Sequence, residues 1–198
     1  MFKKTIISIF LTLLATASFS NAKEPYVYGA AKYWNYGLEK SDLQTINTSL
    51  VNLGFSSSSS STDNWGIGYE FGIGYDVTDN FAIEGGYVDF GTLTIKTNTT
   101  GPTENITTDI TGNAFSANLK AKFGSNDDHF FGRAGIHTWD LNSAVTSSLG
   151  KSTDPLGSGT DPWFGVGYQS GMFNVSYDYY KLGSGDITSI TGGIKYTF

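Results

Sequence analysis

Residues 65–76 alternate without exception. Trp65, Ile67, Tyr69, Phe71, Ile73 and Tyr75 take the odd positions, and Gly66, Gly68, Glu70, Gly72, Gly74 and Asp76 the even ones. A period of two belongs to a β-strand, whose successive side chains leave opposite faces. One face is therefore wholly bulky and apolar, while the other holds four glycines and two carboxylates. A soluble sheet packs its bulky face on a core and turns polar residues to water, with little use for glycines on the polar side. A narrow closed barrel does use them, because an eight-stranded interior has room for only a few long side chains.

The pattern recurs downstream. Phe115, Ala117, Leu119, Ala121 and Phe123 alternate with Ser116, Asn118, Lys120 and Lys122. Phe164, Val166 and Tyr168 alternate with Gly165 and Gly167, and Phe173, Val175, Tyr177 and Tyr179 with Asn174, Ser176 and Asp178. Weaker alternation covers residues 26–36, 81–96, 130–139 and 187–198, which makes eight strands, each expected to cross a membrane in roughly 9 to 11 residues. The connections at 77–80, 124–128 and 170–172 are brief and rich in turn residues. Those at 37–64, 98–110 and 141–159 are long and rich in Ser, Thr, Asn and Gly, with 183–186 a shorter fourth. Short turns alternating with long loops are the habit of outer-membrane barrels, and an even strand count places both termini on the periplasmic side. The serine run at 56–61 is expected to be flexible.

The first 22 residues read as an export signal. Lys3 and Lys4 precede a short apolar stretch at 6–14, and Ser20-Asn21-Ala22 offers a small-residue cleavage site. That stretch falls well short of the roughly 20 apolar residues of a membrane helix. The expected mature domain, residues 23–198, is thus a single unit. The chain carries 12 Lys and Arg against 18 Asp and Glu, a formal charge of −6 that becomes −8 once the two leader lysines are removed. Such an acidic chain is not a nucleic-acid binder. It has no cysteine, so neither a disulfide framework nor a thiolate metal site is available.

Beyond pattern, the stretch from Gly72 to Gly91, GIGYDVTDNFAIEGGYVDFG, resembles the hairpin between the second and third strands of small outer-membrane barrels of the OmpA/OmpX type. Leu119-Lys-Ala-Lys-Phe-Gly124 is similar to that family's fourth strand and Phe131-Gly-Arg-Ala-Gly135 to its fifth. The C-terminal Thr191-Gly-Gly-Ile-Lys-Tyr-Thr-Phe198 is similar to its closing strand. There Thr191, Gly193, Tyr196 and Phe198 fit the polar-x-Gly-x-x-hydrophobic-x-aromatic signal read by the barrel-assembly machinery. The resemblance covers the strands and not the loops, and it stops at the barrel, with no peptidoglycan-binding domain expected after it. Ser176 stands where the family carries an interior arginine. The resemblance implies an all-β, eight-stranded antiparallel up-and-down transmembrane barrel. It also implies an outer-membrane location and, as partners, outer-membrane lipid and lipopolysaccharide, periplasmic chaperones and the assembly machinery.

Strand parity places Lys32, Glu70, Glu84, Lys120, Lys122, Arg133, Asp178 and Lys195 in the polar interior. Buried charges have to be paired, so these are expected to form an ion network filling the lumen, with a narrow solute channel as the alternative. Glu70 and Glu84 lie on neighbouring strands but in a closed lumen, which is no place for a glycosidase carboxylate pair. Of the two histidines, His129 is expected to be a solvated turn residue. His137, near Trp139 and Asp140, lacks a serine partner or a catalytic motif, so no enzymatic activity, metal or cofactor is expected. A lipid-modifying enzyme remains the minor alternative. Asp154, Asp161 and Asp186 are expected in solvated loops, and the aromatics Tyr26, Trp65, Tyr75, Phe81, Tyr87, Phe123, Tyr179 and Phe198 in interfacial girdles. The sequence therefore points to an integral barrel with a structural and surface-interaction role, contacting host or other surface ligands through its long loops.

Overall fold

A computed structural model describes residues 25–125, 127–148 and 150–198; the expected leader at 1–22 lies outside the described residues. In chain order the elements are β1 Pro25–Asn35, α1 Lys40–Asn52, β2 Ser57–Thr62, β3 Trp65–Asp76, β4 Phe81–Thr100, β5 Glu104–Gly124, β6 Asp128–Ser147, β7 Gly150–Ser170, β8 Phe173–Leu182 and β9 Gly185–Thr197. Among the described residues no helix is long and apolar enough to cross a membrane.

Eight strands close into an antiparallel ring. Neighbours pair in the order β4-β3-β1-β9-β8-β7-β6-β5, and β5 returns to β4 to complete the circle. In lipid each backbone N–H and C=O needs an internal partner, and only closure provides one for all of them. The ring turns its apolar residues outward. Ile67, Phe71 and Ile73 of β3, Phe115 and Leu119 of β5, and Phe164 and Val166 of β7 are exposed, as a lipid-facing wall requires.

Inside, β1 and β3 fit each other as large against small. The inward residues of β1 are Tyr26, Tyr28, Ala30, Lys32 and Trp34; opposite them in register stand Gly74, Gly72, Glu70, Gly68 and Gly66. Only Ala30 leaves space for a long partner, and Glu70 occupies it. A Cβ at Gly74 would overlap the Tyr26 ring. Tyr26 is thus an interior residue, 2 % exposed, and not a girdle aromatic as the sequence suggested. The other girdle candidates keep an outward position, with Trp65, Phe81, Phe123 and Phe198 exposed and Tyr75, Tyr87 and Tyr179 half-buried.

The long connections are largely ordered. β4, β5, β6 and β7 each run for 20 or 21 residues, about twice a membrane crossing. Their outer halves continue upward as one sheet. Residues 98–110 form a hairpin around a turn at 101–103, and 141–159 lie within the β6–β7 pair. Threonine and serine made these segments read as loops, yet threonine is β-branched and suits a pleated surface. The serine run is β2, paired with residues 95–100 of β4, so it is not a flexible linker. Helix α1 lies against β2, where the Asn47 Oδ1 accepts from the Ser58 and Ser60 hydroxyls at 3.0 and 2.8 Å. Two bulges, at Asp89/Thr92 and Leu141/Asn142, mark where the barrel wall becomes this projecting sheet. At the first, Gly91 takes φ +71° with no room for a side chain beside Ile67.

The large-against-small fit predicts that Gly74→Val lowers stability by about 1–3 kcal/mol, the usual cost of forcing extra carbon into packed space. Urea titration of the protein refolded in lipid vesicles measures it, and an unchanged midpoint would contradict the packing described here.

Candidate functional site: the lumen

The interior charges come from seven strands of the ring, each supplied by an inward position of an alternating segment. Asp178 is the hub. Its carboxylate takes Lys32 Nζ at 2.8 Å on Oδ2 and Arg133 Nη2 at 2.8 Å on Oδ1. The Thr191 and Ser176 hydroxyls donate to the same group at 2.7 and 3.1 Å. Lys32 also meets Glu70 at 2.8 Å. Arg133 spans to Glu70 and Glu84 at 3.8 and 3.9 Å, too long for hydrogen bonds but close enough for attraction across a medium poorer in water than bulk.

Toward the ring's short-turn end, Glu84 accepts from the Tyr26 hydroxyl at 2.7 Å and Asn118 Nδ2 at 2.9 Å, with Lys120 at 3.6 Å. At the mouth itself Asp76 is shared by Lys122 at 2.8 Å and Lys195 at 3.3 Å. The lysines rest on aromatic faces as well: Lys195 lies 3.8 Å from the Tyr26 ring centroid and Lys120 4.2 Å from that of Phe131. Such contacts stabilise a desolvated cation by up to about 2 kcal/mol. Five cations thus face four carboxylates, and every residue in the expected lumen set points inward. Glu70 and Glu84 are both held near Arg133, in a closed interior that offers a glycan no cleft.

The opposite end of the lumen is of another kind. Trp163 stacks on Tyr180 with centroids 5.0 Å apart, and Trp34 meets the edges of Tyr180 and Phe90 at 5.3 and 5.2 Å. Val88, Ala114, Trp139 and Ile187 complete a buried cluster. His137 belongs to this layer, 1 % exposed, its Nε2 donating to the Lys181 carbonyl at 2.8 Å. At the rim, Asp161 ties two elements together by accepting from the Trp139 indole and the Gly183 N–H, both at 2.7 Å. Asp186 accepts from the Tyr179 hydroxyl and Asp154 from Ser152. His129 is buried at the other mouth, near Phe131 and within 3.2 Å of the Ser125 carbonyl. That corrects the expectation of a solvated turn histidine: His129 is the second residue of β6 and lies on the same inward face as Phe131 and Arg133.

Five participants lie outside the expected lumen set: Asp76, Tyr26, Asn118, Ser176 and Thr191. Strand parity put Asp76 on the face of Glu70 and Asn118 on that of Lys120, but neither was counted among the network charges. The uncharged Tyr26, Ser176 and Thr191 gave no sign of a role in it. Within the charged network lies a void of about 20 Å³, lined by Tyr28, Glu84, Lys120, Arg133 and Lys195 among others, roughly the space of one water. Of the C-terminal signal residues, Thr191 faces the hub, Gly193 packs against Ala30, and Tyr196 and Phe198 are exposed, their rings edge to face at 5.4 Å.

Because Asp178 balances two buried cations, Asp178→Asn should cost about 3–5 kcal/mol, the scale for breaking a buried pair. Lys195→Met at the half-buried mouth should cost about 1 kcal/mol or less. Parallel urea titrations in vesicles measure both, and equal costs would contradict Asp178 as the hub.

Solved structures and one family model are similar to this chain. Among solved structures, Ail, the attachment invasion locus protein of Yersinia pestis, is 14% identical over 88% of this chain and 97% of its own, with a TM-score of 0.49. The N-terminal β-barrel domain of Pseudomonas aeruginosa OprF is 14% identical over 89% of this chain and 100% of its own, at 0.48. Neisserial surface protein A is 13% identical over 90% and 100%, at 0.46. No curated protein sequence matches. The OmpA-like transmembrane domain family matches residues 31–179, three quarters of the sequence and most of the ring. The chain belongs to the OmpA-like transmembrane domain family and is an outer-membrane β-barrel protein.

Proposed function

We propose that this barrel is a closed structural element of the outer membrane that carries a surface-contact platform on its outer side, with both termini in the periplasm. The observation that carries this reading is the length of β4–β7. A crossing needs roughly 9 to 11 residues per strand, and these strands spend their other half building an ordered sheet braced by α1. A structure that only sealed or perforated a bilayer would have no use for such an extension. Ordered projections hold contact residues in place at low entropic cost on binding, so adhesion to host or other surface ligands follows naturally.

The charged lower lumen favours a second reading, a narrow channel. Against it stands the aromatic layer of Trp34, Phe90, Trp163 and Tyr180, whose packed rings fill that end of the lumen and would strip a passing ion of its hydration. An enzymatic role has little to support it: His137 is committed to a backbone carbonyl and packed among rings, with no nucleophile bonded to it among the described residues. Envelope biogenesis would use periplasmic chaperones and the assembly machinery, read through Thr191, Gly193, Tyr196 and Phe198.

Refolded protein in planar bilayers should give no single-channel steps. Cells displaying a variant with residues 93–109 and 143–157 replaced by tight turns should keep a heat-modifiable barrel and lose attachment to the surfaces that the parent binds. Steady conductance from the parent would favour the channel, and undiminished attachment by the trimmed variant would remove the platform reading.

A further inference from the structure

We propose that the void in the charged network is a binding site for one small monatomic anion, a halide, admitted through the short-turn mouth of the lumen. The site is separate from the projecting sheet and does not rest on surface contact.

The lumen's charges balance at depth and fail to balance at the mouth. Three buried cations, Lys32, Lys120 and Arg133, meet three buried carboxylates, Glu70, Glu84 and Asp178. At the mouth Asp76 faces both Lys122 and Lys195, at 2.8 and 3.3 Å. One positive charge is thus left over on this side of the aromatic layer. Asp161 also occupies an inward position, but it lies beyond that layer, tied to Trp139 and Gly183 at the opposite rim. The surplus falls on Lys195, the more distant of the two partners of Asp76, and Lys195 lines the void as well. A charge held away from bulk water without compensation is costly. A counter-ion seated beside it removes that cost.

The same void is lined by under-used donors. Lys120 stands 3.6 Å from Glu84, beyond hydrogen-bond reach, whereas Lys32 lies 2.8 Å from each of its two carboxylates. Arg133 commits Nη2 to Asp178 and Ser176, but its Nη1 stops 3.8 and 3.9 Å from Glu70 and Glu84, and its Nε is buried without a partner. The Tyr28 hydroxyl is buried and unpartnered too. All three side chains border the void. Glu70 and Glu84 border it as well, yet each has closer partners: Lys32 at 2.8 Å for the first, and Tyr26 and Asn118 at 2.7 and 2.9 Å for the second. A water accepting from these donors leaves the surplus charge where it was. A halide has no preferred direction of approach, so it accepts from ammonium, guanidinium and hydroxyl together, through charge-assisted bonds about twice as strong as neutral ones. About 20 Å³ admits one body near the size of a water and excludes an oxyanion as large as sulfate. The stacked Trp163 and Tyr180 close the far side, so entry is past Lys195.

The test is urea unfolding of the mature protein in vesicles of zwitterionic lipid, with the sodium salts of chloride, bromide, sulfate and gluconate compared at one fixed ionic strength. Replacing gluconate by chloride or bromide should lower the unfolding equilibrium constant about tenfold, the effect of a ligand at roughly ten times its dissociation constant. Sulfate should leave it where gluconate does. Lys195→Met removes the surplus charge while Asp76 keeps Lys122, so this variant should remain a heat-modifiable barrel and lose the halide effect. Lys151→Met, on the projecting sheet, should retain it. Crystals of the parent grown in bromide should show an anomalous peak inside the barrel, within hydrogen-bond reach of Lys120, Arg133 or Lys195. Four outcomes overturn the proposal: stability indifferent to halide, equal stabilisation by sulfate, a halide effect that persists in Lys195→Met, and bromide confined to the outer surface with water in the void.

Discussion

Lipid offers no hydrogen bonds, and that absence organises the molecule. A strand crossing acyl chains has to find partners for its backbone on both sides, so the sheet closes through β1–β9 and β4–β5 and no edge remains within the ring. Closing at eight strands then fixes an interior about as wide as the side chains that fill it. Volume becomes the next constraint. Tyr26, Tyr28, Lys32 and Trp34 reach inward from β1 only because β3 answers with Gly74, Gly72, Gly68 and Gly66. The glycines are therefore a packing device of the barrel and not a source of looseness.

Filling the interior with charge raises a second cost, desolvation, which the network meets by sharing. Asp178 serves Lys32 and Arg133 at once, Asp76 serves Lys122 and Lys195, and hydroxyls from Thr191 and Ser176 take up remaining carboxylate lone pairs. Sharing among distant strands also fixes register, since a one-residue slip would send each charge into lipid. The aromatic layer above divides the lumen into two solvents. Below it polar groups surround a water-sized void and hold ions in pairs; within it rings pack as in a soluble core. The two halves meet where Lys32 lies over the Trp34 and Tyr180 rings and Arg133 over that of Trp163.

The ring and its charges were legible because parity survives through the membrane-crossing halves. Once Trp65–Asp76 is read as a strand, Glu70 must point inward, and the same reasoning along each segment brings in Lys32, Glu84, Lys120, Lys122, Arg133, Asp178 and Lys195. The same parity puts Asp76 on the face of Glu70, at the strand's turn end, although it was not counted in the network. Tyr26 was misplaced for a physical reason: β1 carries aromatics on both faces, so its hydropathy does not say which way any of them points. The loops were misread because two bulges interrupt parity, after Asp89 and at Leu141/Asn142, and because Ser and Thr serve turns and strands alike. What decides between those roles for residues 57–62 is a hydrogen-bonded neighbour, residues 95–100 of β4, nearly forty positions away. No local pattern carries that information.

A single strand here passes through three surroundings, and its sequence changes at each boundary. On β4, Phe81, Ile83 and Tyr87 face lipid while Glu84 and Val88 face the lumen; beyond Gly91, Thr92 and Thr94 face outward and Leu93 and Ile95 are buried on the other side. The bulge is what makes the last change affordable in backbone terms. Its extra residue adds local twist without reversing the outward side, so the strand leaves the ring, where β3 stops pairing at Tyr69↔Asp89, and takes β2 as its new neighbour. The wall and the platform are then one continuous ladder. Force applied to the projecting sheet is carried by backbone hydrogen bonds into a ring whose register is pinned by the buried charges.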